Sequence, residues 1–278
     1  MIFGYLYRFI KRLLVLVPGV WAATFGARQV FPVFDERIPT WVAIIVTYVV
    51  VAYIIIPTLF RFIRYLFPPK HVPLYCVTPD GFACDPVNVG IVGTKAQLKR
   101  SMKKAGWYQA DSKTIKSGLR IAASVMFKKP YLNAPFSTLF LFGRGQDIGF
   151  QKPVGNSPSK RHHVRFWAAS HTTDPHHLEH ISFWDRFFQS NLETGRVLWV
   201  GAASKDVGMG VIRHNAQITH NIHHDTNAER DKIADELKKS GQVQKIKTVT
   251  IGSPYKVSNR VIRRYMLSDG KMKLIELS

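Results

Sequence analysis

The sequence predicts a mixed α+β domain on the cytosolic side of a membrane, preceded by a transmembrane helical hairpin. Three observations lead there. Pro39 to Phe60 is a run of 22 residues without a charge, long enough to cross the roughly 30 Å hydrocarbon layer. After residue 70 the pattern changes to short apolar runs interleaved with helical stripes, which places strands and amphipathic helices in one domain. Basic residues crowd the outer ends of the hydrophobic segments, with Arg8, Lys11 and Arg12 before them and Arg61, Arg64 and Lys70 after. The positive-inside rule then turns both ends toward the cytoplasm.

The hairpin takes residues 1–68 and the domain residues 69–278. The first arm spans about 13–33, is interrupted by Pro18, and carries Arg28 near its far end, from where the side chain can snorkel. The second arm is Pro39 to Phe60. Across the chain 39 Lys and Arg stand against 18 Asp and Glu, a net charge of +21. Seven of the bases and two of the acids fall in the first 68 residues, so the domain alone carries +16. Such a charge asks for an acidic partner. With a hydrophobic anchor and no zinc-finger, helix-turn-helix or single-strand-binding signature, that partner is expected to be anionic lipid and not nucleic acid. Cys76 and Cys84 flank a turn and are expected as free thiols.

In order, Val87 to Gly93 reads as a strand and Thr94 as the N-cap of a very basic helix, Lys95 to Lys104, that Gly106 ends. A second helix, Ser112 to about Phe127, places Ile115, Leu119, Ile121, Ala122 and Val125 on a stripe expected to face the core. Asn133-Ala-Pro is a break. Phe136 to Gly143 is a buried strand that turns through Arg144-Gly-Gln and returns as Asp147 to Gln151. The polar loop from Gly155 ends on Lys160 and Arg161, and in His162 to Trp167 alternation puts His163, Arg165 and Trp167 on one face. A His-rich stretch, Asp174 to His180, precedes an aromatic segment read as a peripheral helix. Arg196 to Ala203 is a buried strand that Lys205-Asp-Val-Gly leaves. Gln217 to His223 is another, followed by an Asp225-Thr-Asn cap and a helix opening with Ala228-Glu-Arg-Asp. Ile246 to Ile251, Arg260 to Leu267 and Lys271 to Leu277 close the domain as three strands.

Possible chemistry is densest in Gln217 to Asp231, with three histidines and three carboxylates in fifteen residues. His163, Asp206, His220, His224 and Asp225 are candidate ligands of a divalent zinc, manganese or iron ion, since imidazole and carboxylate together suit those metals. Arg165, inside a strand, needs an acidic or phosphate partner if it is buried. Together with Lys160 and Arg161 it forms the candidate phosphate-binding set. Arg165 and Glu229 are the candidate catalytic groups, the first neutralising charge that develops on a phosphoryl group and the second orienting a ligand. No HExxH or comparable spacing fixes a metal site.

The succession Pro86-Val-Asn-Val-Gly-Ile-Val-Gly, Asn133-Ala-Pro, Leu141-Phe-Gly-Arg-Gly-Gln-Asp, Phe150-Gln-Lys-Pro-Val-Gly, Arg161-His-His-Val-Arg-Phe-Trp, Trp199-Val-Gly-Ala-Ala and Ile218-Thr-His with Asp225 and Ala228-Glu-Arg-Asp resembles the LssY-like C-terminal domain family of bacterial membrane proteins over roughly residues 74–245. In that family the domain often follows membrane modules of the DedA and type 2 phosphatidic acid phosphatase kinds. The resemblance therefore implies the bacterial inner membrane and lipid or envelope metabolism, without naming a reaction. Two function classes follow. One is a metal-dependent hydrolase of phosphate esters of lipids or lipid-linked molecules. The alternative is a non-catalytic accessory subunit of a membrane complex, binding anionic headgroups beside other integral membrane proteins.

Overall fold

The structure is a computed structural model that describes residues 17, 19–56, 58–59, 71–79, 83–127, 131–155, 160–171, 174–176, 194–211, 218–259 and 264–278. A few side chains within these stretches, that of His220 among them, fall outside the description. The chain divides into two compact units, Met1–Pro68 with Thr78–Phe82, and Pro69–Val77 with Ala83–Ser278.

The first unit is helical. A π-helical turn, Gly26–Val30, runs into α1 (Phe31–Asp35), and after a short turn Pro39 caps α2 (Thr40–Val50), which continues as a second π-helical turn, Val51–Ile55. The arms meet through small residues. Ala22 and Ala43 are fully buried, and a Cβ on Gly26 would stand 2.4 Å from Val51 Cγ2, so the close approach requires glycine there. Large apolar side chains such as Trp21, Trp41, Ile44 and Ile45 point outward. Among the described residues no helix is long and apolar enough to cross a membrane. Residues 13–16, 18, 57 and 60 of the two expected arms lie outside the described residues.

The second unit is a mixed α+β fold around one large sheet. Its strands are β1 (Tyr75–Val77), β2 (Ala83–Pro86), β3 (Val89–Gly93), β4 (Tyr108–Gln109), β5 (Phe140–Leu141), β6 (Arg144–Gly145), β7 (Ile148–Pro153), β8 (Lys160–Ser170), β9 (Val197–Val211), β10 (Ile218–Ile222), β11 (Val243–Thr250), β12 (Tyr255–Asn259), β13 (Arg264–Ser268) and β14 (Lys271–Leu277). The large sheet runs β11-β14-β3-β9-β8-β7-β4, with β10 also on β9; a small sheet runs β2-β1-β5-β6, and β12 and β13 pair as a hairpin. Among the described strands every pairing is antiparallel except β14 with β3.

Both faces of the large sheet are covered, so its central strands are apolar on both sides. Helices α3 (Lys95–Lys104) and α5 (Asn227–Lys239) bury Leu98, Met102, Ile233 and Leu237 against Val164, Phe166 and Trp199. On the opposite face Trp167, Val200 and Met272 pack with Cys76, Leu139 and Leu141 of the small sheet and its approach. Thr94 closes α3 in a reciprocal capping box with Gln97, and Gly106, at φ 80°, ends it. β9 is long enough to pair with β3 along its first half and with β10 along its second. Asn88 bridges that fork: its amide nitrogen donates to the carbonyls of Ala203 and Thr226, and its oxygen accepts from Ala203 N.

Four expectations are corrected. The described part of the stripe on α4 (Ile115–Met126) does not face the core: Ile115 is 87%, Leu119 68% and Ile121 37% exposed, the Ala122 and Val125 side chains lie outside the description, and among the described side chains of the helix the buried one is Ser117. Helical periodicity shows that a face is apolar but not that a neighbour covers it. The hairpin after Phe136 turns at Phe142-Gly143, both in the left-handed region (φ 51° and 75°), as a two-residue antiparallel turn demands. Its return, β6, is two residues long, and Ile148–Pro153 joins the large sheet instead. β9 does not stop before Lys205, so Asp206 lies inside a strand. The closing region holds four strands because β12 and β13 form their own hairpin.

Gly201 lies where β9 crosses the buried Phe166 ring, and a Cβ there would stand 2.5 Å from Phe166 Cε1. Since that ring is fully enclosed, Gly201→Ala should cost about 1–3 kcal/mol, measured as a lower denaturant midpoint with an unchanged slope.

Candidate functional site

Three neighbouring strands carry the polar row of the small-sheet face. Register sets Gln151 of β7 opposite His163 of β8, and His163 opposite Ser204 of β9; one step along, Arg161 stands opposite Asp206. Because alternate residues of a strand share a face, Arg161, His163 and Arg165 all point the same way, with Trp167 continuing the row into the core. The small sheet supplies Asp85 from β2.

These groups answer one another. Arg165 Nη1 donates to Asp85 Oδ2 at 2.6 Å, and Arg161 Nε donates to Asp206 Oδ2 at 2.9 Å. His163 stands between the two carboxylates: Nε2 is 3.4 Å from Asp85 Oδ2 and 2.9 Å from Ser204 Oγ, and Nδ1 is 3.4 Å from Asp206 Oδ1 without a formed hydrogen bond among the described residues. Gln151 Oε1 accepts from Arg161 Nη1 at 2.7 Å, while its nitrogen donates to the carbonyls of Leu132 and Ala134. The Cys84 thiol lies 3.6 Å from Asp85 Oδ1. Phe136 roofs the cluster, with the Arg165 guanidinium 4.6 Å and that of Arg161 5.5 Å from its ring centre, within the range of a cation–π contact. Asp85 and Ser204 are fully buried, and the rest of the cluster nearly so.

The electrostatics follow from enclosure. Burial pushes the Asp85 carboxyl up, but the Arg165 charge and the His163 ring outweigh it and hold it below the ordinary carboxylate value. Burial likewise opposes the His163 imidazolium, yet the Asp206 charge and the proximity of both carboxylates raise its pKa above the usual 6.5. With His163 neutral, two guanidiniums balance two carboxylates; with it protonated, the cluster holds one surplus positive charge. Ser204, His163 and Asp206 fall in the order of a nucleophile, a base and an orienting acid.

The other candidates lie apart from this row or do different work. Lys160 is exposed at the end of β8. Glu229 is on the helical face of the sheet, where its Oε2 accepts from His162 Nδ1 at 2.6 Å. Asp225 caps α5, its Oδ1 accepting from the amides of Asn227 and Ala228. His224 is exposed and stacks on His223 with ring centres 4.5 Å apart. The His220 side chain, and the Asp174 to His180 stretch beyond His176, lie outside the described residues. Of the five candidate ligands, His163 and Asp206 are in contact. Among the described residues no three His, Cys, Asp or Glu groups converge as a metal would require, and Asp85 and Asp206 approach His163 at opposite ring nitrogens. Asp85, Gln151, Ser204 and Phe136 escaped the sequence reading. One signal was available: a buried Arg165 demands a carboxylate, and Asp85 stands in the apolar run from Cys84 to Val87.

Two outcomes test the cluster. Asp85→Asn leaves the Arg165 charge buried without a counterion and should cost about 3–5 kcal/mol in denaturant unfolding. A raised folded pKa stabilises below the unfolded value and loses that contribution as pH rises through the folded one. Unfolding stability should therefore decline above about pH 6.5, and His163→Gln should flatten that decline. The acid limb, set by Asp85 protonating as pH falls through its depressed value, should remain.

A family model, the LssY C-terminus, matches residues 69–272. No curated protein and no solved structure matches the chain. The matched stretch contains β1 to β13, both cluster arginines and their carboxylates, and covers well over half of the sequence; the chain belongs to the LssY C-terminus family.

Proposed function

We propose that the chain is a membrane-anchored, non-catalytic LssY-type module that holds its domain against anionic headgroups as an accessory to other integral membrane proteins. The observation that carries this reading is how the bases divide. Those inside, Arg161, Arg165 and Arg230, are neutralised by Asp206, by Asp85, and by Asp231 with Asp269. Those of α3 are turned outward: Lys99, Arg100, Lys103 and Lys104 are exposed on a helix with no acidic residue. Each base near an anionic leaflet contributes about 1 kcal/mol of attraction. The outward apolar side chains of the N-terminal hairpin support a two-pass anchor in the bacterial inner membrane, with the domain on the cytoplasmic side.

The test is lysine footprinting on the full chain in lipid nanodiscs. Lys99, Lys103 and Lys104 should be shielded from an amine-reactive reagent in phosphatidylglycerol-containing discs and regain reactivity at high salt. Equal labelling in anionic and zwitterionic discs would sink the reading.

One contact favours a second reading, hydrolysis of phosphate esters: Ser204 Oγ on His163 Nε2, with Asp206 at the other nitrogen. Its metal-assisted form would draw on His163, Asp206 and His220, and requires zinc, manganese or iron at near stoichiometry, lost in His220→Ala, by elemental mass spectrometry. Under the accessory reading, wild type, Ser204→Ala and His163→Gln are alike inactive on phosphate esters. Turnover by wild type that both variants lose, with the fold retained, would replace it.

A further inference from the structure

Helix α4 is built inside out. Its capping box is formed by Thr114 and Ser117, each backbone amide bonding the other's hydroxyl, and among the described side chains of the helix Ser117 is the one turned inward. The opposite side carries Ile115, Leu119 and Met126, which recur at i, i+4 and i+11 and so share one face of a helix. All three are largely exposed, and Phe127 follows them, 67% exposed. A helix packed on a soluble core does the reverse, burying its apolar stripe and wetting its serines.

The charges around this face choose its occupant. From Ser112 to Pro130 the sequence holds Lys113, Lys116, Arg120, Lys128 and Lys129 and no acidic residue. Lys116 and Arg120 are exposed and follow Ile115 and Leu119 by one position each, which sets them beside the apolar stripe. There, long basic side chains lay their stems on apolar surface and lift the charge to headgroups. Arg120 lies 3.8 Å from Asp111, but both are exposed and water screens the pair. Lys113 is spent locally, donating to Thr138 Oγ1. An exposed apolar stripe flanked by bases is the composition of a helix that lies in the plane of an anionic membrane interface. A second protein chain would more often meet such a stripe with acids of its own.

We infer that α4 inserts its Ile115, Leu119 and Met126 face into the headgroup and acyl boundary of an anionic lipid surface. The inference rests on the membrane-surface reading above and adds to it a hydrophobic contact point separate from the basic helix α3. Insertion at one site and charge at another fix the domain's orientation on the bilayer, which neither contact does alone.

The experiment places an environment-sensitive nitrobenzoxadiazole label at Leu119→Cys in the full chain. The label is read in proteoliposomes of phosphatidylcholine with and without phosphatidylglycerol. Wild type, with Cys76 buried and Cys84 half-buried, is the labelling blank. With phosphatidylglycerol the emission should shift to the blue, iodide quenching should fall several-fold, and doxyl lipids with the spin label near the headgroup should quench. A label that stays open to iodide in anionic vesicles overturns the inference. So does one shielded from iodide but untouched by doxyl lipid, which would mean that protein covers the face. If Leu119 stays in water while Lys99 and Lys103 are shielded, only this inference falls; if all three stay open, the headgroup reading falls with it.

Discussion

The fold of the domain depends on a buried ion pair, Arg165 with Asp85. The two residues are 80 positions apart and belong to different sheets. Each alone would cost several kcal/mol to take out of water. Together, with Phe136 over the guanidinium and the Cys84 thiol beside the carboxylate, they tolerate enclosure. The small sheet is therefore docked on the large one in a single arrangement, because a slip would strand a charge. Apolar packing between Trp167, Leu139 and Leu141 supplies adhesion but little register, and the pair supplies the register.

From this follows the rest of the row. Once Arg165 is fixed, alternation brings His163 and Arg161 to the same face, and cross-strand pairing brings Gln151, Ser204 and Asp206 to meet them. Charge on this protein is thus handled in two ways. Inside, opposite charges are matched nearly one for one; outside, bases on α3 and around α4 stand with few acids near them. The domain's excess positive charge is a surface property, which is where an acidic partner can use it.

Much of this was legible in local pattern. The split of His162 to Trp167 into two faces, the Thr94 cap and the extent of α3 follow from periods and cap chemistry that neighbouring residues fix. The LssY resemblance was likewise carried by the order of short motifs. What could not be read were choices made by distant partners. Nothing local says that Asp85 is the counterion of Arg165, or that β9 runs through Asp206 because β10 returns alongside it. Proximity in sequence also suggested a shared site for His224, Asp225 and Glu229. In the fold Asp225 is absorbed in capping α5, and Glu229 faces the other side of the sheet from His163. The apolar stripe of α4 was seen, but periodicity carries no information on what covers it.

The roof of the cluster has a consequence for how the domain breathes. Between Tyr131 and Leu139 the chain forms no strand; the Asp111 amide holds the Asn133 carbonyl, and side chains hold the rest, with Gln151 on the carbonyls of Leu132 and Ala134, Arg165 near that of Ser137, and Gln146 on the amide of Leu139. Two of these tethers are members of the charged row itself. Lifting the segment would uncover the ion pairs, and dissolving the ion pairs would release the segment, so the two form one cooperative opening unit. Its amides would exchange with solvent deuterium as a group.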